Sequence, residues 1–131
     1  MTGPGMPRTV LIVEDDEPTQ LLLVAVMRRA GLPTLVAGNG QAAIDFIETR
    51  NDIACIILDL MMPEVDGRAV ISYMAAGQHR IPVIVCTAAL PRITPEFDPE
   101  IIRAVVRKPF DIEHLMTTVT ELVDSGDQTL P

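Results

Sequence analysis

Thr9-Val10-Leu11-Ile12-Val13-Glu14-Asp15-Asp16 joins a short apolar run, Val10 to Val13, directly to three carboxylates. The same pattern recurs twice. Asp59 follows Ile56-Ile57-Leu58, and Lys108 follows Val105-Val106-Arg107. Short runs rich in Val and Ile, each leading into a helix-like segment, read as the buried parallel strands of an open α/β sheet. Such sheets bind their ligands at the carboxyl ends of the strands, so these polar groups are predicted to meet in one crevice. Several carboxylates and one ammonium suit a divalent cation and a phosphoryl group.

Outward from these runs the chain alternates strand and helix. Pro18 suits the first turn of a helix that runs to Ala30 and closes at Gly31, with Leu21, Leu22, Val24, Ala25 and Met27 as its apolar stripe. Thr34 to Ala37 forms a second strand. Asn39 caps a helix through about Thr49, with Ile44 and Ile47 facing inward. Ile53 to Leu58 is the third strand, and a third helix runs from Asp66 to Ala76, where Gly77 stops it. Ile81 to Cys86 is the fourth strand, Ala104 to Arg107 the fifth, and Asp111 caps a last helix to about Asp124. Between Leu90 and Pro99 the pattern fails, because Pro91, Pro95 and Pro99 remove too many donors for a regular helix. Five strands joined by right-handed crossovers imply a three-layer α/β sandwich with helices on both faces.

With 131 residues the chain fills one core and is too short for two ordinary domains. Its net charge of -8, without a Lys/Arg-rich stretch, argues against a nucleic-acid partner. No apolar run approaches the roughly 20 residues of a bilayer span, and no signal peptide is recognisable, so a cytoplasmic protein with no membrane partner is expected. Cys55 and Cys86 lie inside apolar runs, without CxxC or Cys/His spacing, and read as core residues.

Four strings then combine: Leu11 to Asp16; Leu58-Asp59-Leu60-Met61-Met62-Pro63-Glu64-Val65-Asp66-Gly67; Val85-Cys86-Thr87-Ala88; and Arg107-Lys108-Pro109-Phe110. In this order they resemble the receiver domains of bacterial two-component response regulators. The resemblance covers about residues 8–124, taken as the domain, with 1–7 and 125–131 as flexible tails. It implies a flavodoxin-like sheet in the order 2-1-3-4-5. It also implies phosphate transfer to Asp59 from a histidine kinase or histidine phosphotransfer protein. Asp59 matches the phosphoacceptor, and Glu14 and Asp15 match the acidic pair that holds Mg2+ together with Asp59 and the backbone carbonyl of Met61. Asp15 is the expected direct ligand. Glu14 stands where many relatives have Asp, and its extra methylene allows contact through water as easily as a direct bond. Asp16 and Glu17 read better as the acidic first turn of a helix. Thr87 and Lys108 match the hydroxyl and the cation that meet the phosphoryl oxygens. Alone, each would be an ordinary strand-end hydroxyl and an ordinary surface lysine. The Lys108-Pro109 bond is cis in relatives.

Two positions depart from the family pattern. Val105 stands where relatives carry a Tyr or Phe that moves inward on phosphorylation, and the Pro-rich segment stands where they carry a regular helix. That helix is expected to be short, displaced or absent, with output through a rebuilt surface around residues 90–105. The downstream partner is unknown, and the protein is expected to be a monomer or weak dimer. Met61 and Ala89 offer no polar group to guide water, which implies slow loss of phosphate. The chain, from Met1 to a polar tail, reads as a stand-alone receiver or a domain cut from a larger sensor, with the first favoured. A pseudo-receiver that works by contact alone is the main alternative. A haloacid-dehalogenase-like enzyme would want an Asp at Met61, and His79 and His114, read as exposed, lack partners for a catalytic dyad.

Overall fold

The computed structural model describes residues 6–62, 65–88 and 98–125. Along them run β1 (Thr9–Val13), α1 (Glu17–Arg29), β2 (Thr34–Ala37), α2 (Gly40–Thr49) and β3 (Ile53–Leu58), then α3 (Gly67–Ala76), β4 (Val83–Thr87), β5 (Ile102–Arg107) and α4 (Ile112–Ser125). All strand pairs are parallel, and the order is β2-β1-β3-β4-β5. The chain therefore winds outward from β1 to β2 and reverses at β3. That reversal places a crevice at the carboxyl ends of β1 and β3.

Alternation along the strands divides the core in two. Leu11, Val13, Leu58 and Val85 pack with Ile47 of α2 and with Val70, Ile71 and Met74 of α3. Val10, Ile12, Ile57 and Ile84 pack on the other face with Leu23, Val26 and Met27 of α1 and with Leu115, Val119 and Val123 of α4. Burying each large aliphatic side chain contributes about 1.5–3 kcal/mol, so the central strands dominate stability. Helix starts are set locally. Asp16, Asn39, Asp66 and Asp111 each accept a bond from the backbone N–H three residues on, at 3.1, 2.8, 3.0 and 3.0 Å. Gly31, at φ +76°, supplies the left-handed turn that ends α1. Among the described residues no helix is long and apolar enough to cross a membrane.

Several expected details are corrected. The buried stripe of α1 is Leu23, Val26 and Met27, whereas Leu21 and Leu22 are 65% and 42% exposed and Ala25 is also exposed. Strand β4 starts at Val83, because Pro82 has no N–H to donate and only its carbonyl joins the ladder, accepting from Ile56. Strand β5 begins two residues earlier than expected, with a register shift between the Val83–Ile102 and Ile84–Ala104 pairs. His79 is half-buried and stacked on Tyr73. Ser125, assigned to the tail, is the last residue of α4. The expected loss of a helix before β5 falls on 89–97, outside the described residues.

Gly67 fixes how α3 sits on the crevice. A Cβ there would lie 2.5 Å from the backbone oxygen of Asp59 and 2.7 Å from Cα of Leu60. Backbone cannot yield as a side-chain tip can. Gly67→Ala is expected to cost about 1–3 kcal/mol in urea unfolding, and an unchanged midpoint would show that α3 shifts freely.

Candidate functional site

Register brings the polar groups together. Val13 of β1 is flanked by Ala37 of β2 and Leu58 of β3, and Thr87 of β4 faces Arg107 of β5. The ladder continues one residue beyond the strands: Glu14 N–H donates to the Ala37 carbonyl at 3.0 Å, Asp59 N–H to the Val13 carbonyl at 3.0 Å, and Lys108 N–H to the Thr87 carbonyl at 2.8 Å. Glu14, Asp59 and Lys108 are thus each the first residue past a strand tip, and Thr87 is the last of its strand. The Lys108-Pro109 bond is cis.

The structure brings the side chains of Glu14, Asp15, Asp59 and Lys108 together. Oxygens of Glu14, Asp15 and Asp59 all lie within 4.8 Å of one another. Lys108 Nζ donates to Glu14 Oε1 at 2.5 Å and to Asp59 Oδ2 at 3.4 Å. Glu14 and Asp59 are buried, 2% and 6% exposed, whereas Asp15 faces solvent. Asp59 Oδ1 is held by the N–H of Met61 at 3.0 Å, which leaves Oδ2 toward the lysine. Met61 itself is 65% exposed at the rim. Thr87 is 1% exposed, and its Oγ1 has no hydrogen-bond partner among the described residues. An unsatisfied buried hydroxyl costs about 1–3 kcal/mol, so this one is suited to a group that arrives from outside.

Electrostatics agree with that placement. Burial pushes the Glu14 carboxyl above the usual carboxylate range, against the hydrogen bonds from Lys108 and the Asp16 amide. Burial also works against the charge on Lys108, but the Glu14 hydrogen bond and the Asp59 charge outweigh it and raise its pKa. Three carboxylates against one ammonium leave an excess of two negative charges, and a divalent cation with oxygen preference fits that donor set. The cysteines do not contribute. Desolvation pushes Cys55 up to about 12 and Cys86 up to about 11, so both stay protonated thiols in the core.

Two contacts escaped the sequence reading. The Asp16 N–H donates to Glu14 Oε2 at 3.1 Å, and Gln20 Nε2 donates to the Glu14 carbonyl at 2.6 Å. No sequence signal marked Gln20, because the core-facing stripe of α1 that it precedes lies in an all-apolar run and shows only in the fold.

Comparison with known proteins gives one family. SrrA, a transcriptional regulatory protein of Staphylococcus aureus, is 37% identical over 83 residues, which is 63% of this chain and 34% of that protein. The chain thus spans about a third of the length of the curated relatives it matches. Among solved structures, the receiver domain of a Francisella response regulator superposes with a TM-score of 0.79 at 26% identity, covering 91% of this chain and 98% of that one. The receiver domain of a sensor histidine kinase from Pseudomonas aeruginosa PAO1, solved with a magnesium ion coordinated in its active-site cleft, gives 0.78 at 23% identity over 91% of this chain and 99% of that one. A family model described as the response regulator receiver domain matches residues 10–120. The four strings and the sheet order have one common source: the chain belongs to the response regulator receiver domain family, the signalling receivers of two-component systems.

Proposed function

We infer that this chain is a phosphoacceptor, taking a phosphoryl group onto Asp59 from the phosphohistidine of a histidine kinase or histidine phosphotransfer protein. The observation that carries this reading is the geometry at Asp59: one carboxylate oxygen tied to the Met61 amide, the other toward Lys108, with Glu14 and Asp15 alongside. A carboxylate oxygen of Asp59 forms the new bond to phosphorus while the P–N bond of the donor breaks. The electron pair leaves with the imidazole nitrogen, which takes a proton from water. Lys108, now on Glu14, would turn to the phosphoryl oxygens, and the partnerless Thr87 hydroxyl would donate to another. The chain supplies position and charge, as phosphoryl transfer requires.

Asp15, Asp59, Glu14 and the Met61 carbonyl would hold Mg2+, with Glu14 acting directly or through water. The ion would neutralise charge on the transferring group. The magnesium in the Pseudomonas aeruginosa receiver supports this assignment. Val105, 39% exposed on β5, has no ring to move inward, so the signal would leave without an aromatic switch, through the surface around residues 90–105. Residues 8–124 are taken as the working domain, in the cytoplasm beside its kinase. Val105 also favours a second reading, a contact-only pseudo-receiver, and one experiment separates the two. Acetyl phosphate with Mg2+ is expected to add one phosphoryl mass to the intact protein, and a chelator is expected to suppress it by about 10²-fold or more. No mass gain with Mg2+ present would favour the pseudo-receiver.

A further inference from the structure

Gln20 stands apart on the core-facing stripe of α1. It lies three residues before Leu23 and seven before Met27, both buried, yet its side chain is an amide. Its Nε2 reaches the carbonyl of Glu14 at 2.6 Å, and a Cβ on Gly38 at the tip of β2 would sit only 3.8 Å from the same nitrogen. The amide therefore lies near two strand tips and spends its donor on one backbone oxygen. That oxygen belongs to the peptide joining Glu14 to Asp15. Glu14 has further restraints, from Ala37, Asp16 and Lys108. Asp15 has none: among the described residues its carboxylate forms no hydrogen bond or ion pair. Among the described residues, the only side chain that holds the peptide carrying Asp15 is Gln20.

We propose that Gln20 is a positioning residue for the cation site, fixing the Glu14-Asp15 peptide so that the Asp15 carboxylate stays beside Asp59. This rests on the magnesium reading given above. Outer partners that orient metal ligands commonly change affinity about tenfold or more when removed. Here the amide acts one step behind the ligand, through the backbone.

Magnesium titration by calorimetry on the intact chain, paired with labelling rates from acetyl phosphate, tests the assignment. Gln20→Met keeps the length and apolar contact but cannot donate, and it is expected to weaken Mg2+ binding about threefold to tenfold. At saturating Mg2+ its labelling rate should return to within about twofold of the parent, because a correctly filled site has the same chemistry. Gln20→Glu, equal in shape but without a donor when ionised, should bind no better than Gln20→Met. Parent-like affinity in Gln20→Met overturns the proposal. So does a rate that stays low at saturation, since that marks a general structural defect. A parent chain that binds no Mg2+ overturns the magnesium reading itself along with this one.

Discussion

Asp59→Asn is expected to take up no phosphoryl group under conditions that label the parent, a loss on the order of 10³-fold or more. The change is nearly isosteric. The side-chain oxygen can still accept from Met61 N–H, now at 3.0 Å, so the loop keeps its shape. What disappears is the anionic oxygen facing Lys108, and a neutral amide is a poor nucleophile toward phosphorus. Lys108 keeps its bond to Glu14, so unfolding in urea should move by no more than about 1 kcal/mol. Intact mass after acetyl phosphate and Mg2+ reads the first quantity, and a urea melt reads the second. Labelling within tenfold of the parent would assign the acceptor to another carboxylate, with Glu14 and Asp15 the nearest.

Leu58→Ala carries the largest expected effect on stability. Leu58 is fully buried in β3, the strand between β1 and β4, and packs against the α2 and α3 layer. Flanking strands fix the backbone on both sides, so the site collapses poorly and most of the deleted volume remains as a cavity. The expected cost is about 3–5 kcal/mol, or roughly 10²–10⁴-fold in the folding equilibrium. For a domain of ordinary stability, about 5–15 kcal/mol, that is a fifth or more of the total. Urea unfolding measures it, and a loss below about 1 kcal/mol would mean that the layers relax far more than their packing implies.

These effects were legible in the sequence to different degrees. Strands β1, β2 and β3 were readable to the residue, because each is a short apolar run bounded by polar or turn-forming residues. Helix starts were readable because Asn39, Asp66 and Asp111 cap through local bonds. The face of α1 was not. Residues 21–27 are all apolar, a run without periodicity, and only docking selects Leu23, Val26 and Met27 over Leu21 and Leu22. The edges of the sheet were also poorly marked. Strand β5 is half exposed, so its residues carry no sharp pattern, and its shifted register depends on a neighbour rather than on itself.

The candidate site was legible where a strand tip carries a charge, since parallel register brings such tips together. Gln20 was not, because a bond from a side chain to a backbone oxygen six residues away belongs to no motif. The pairing of Lys108 with Glu14 was hidden for a related reason. A longer acid at that position changes which carboxylate the ammonium reaches, and reach is a property of folded geometry.

That pairing has a consequence for how the protein lives between signals. Glu14 is among the most deeply enclosed charges, and its counter-charge comes from the same chain. The fold thus carries part of its own neutralisation, because the Lys108 ammonium offsets the charge of Glu14 from within the chain.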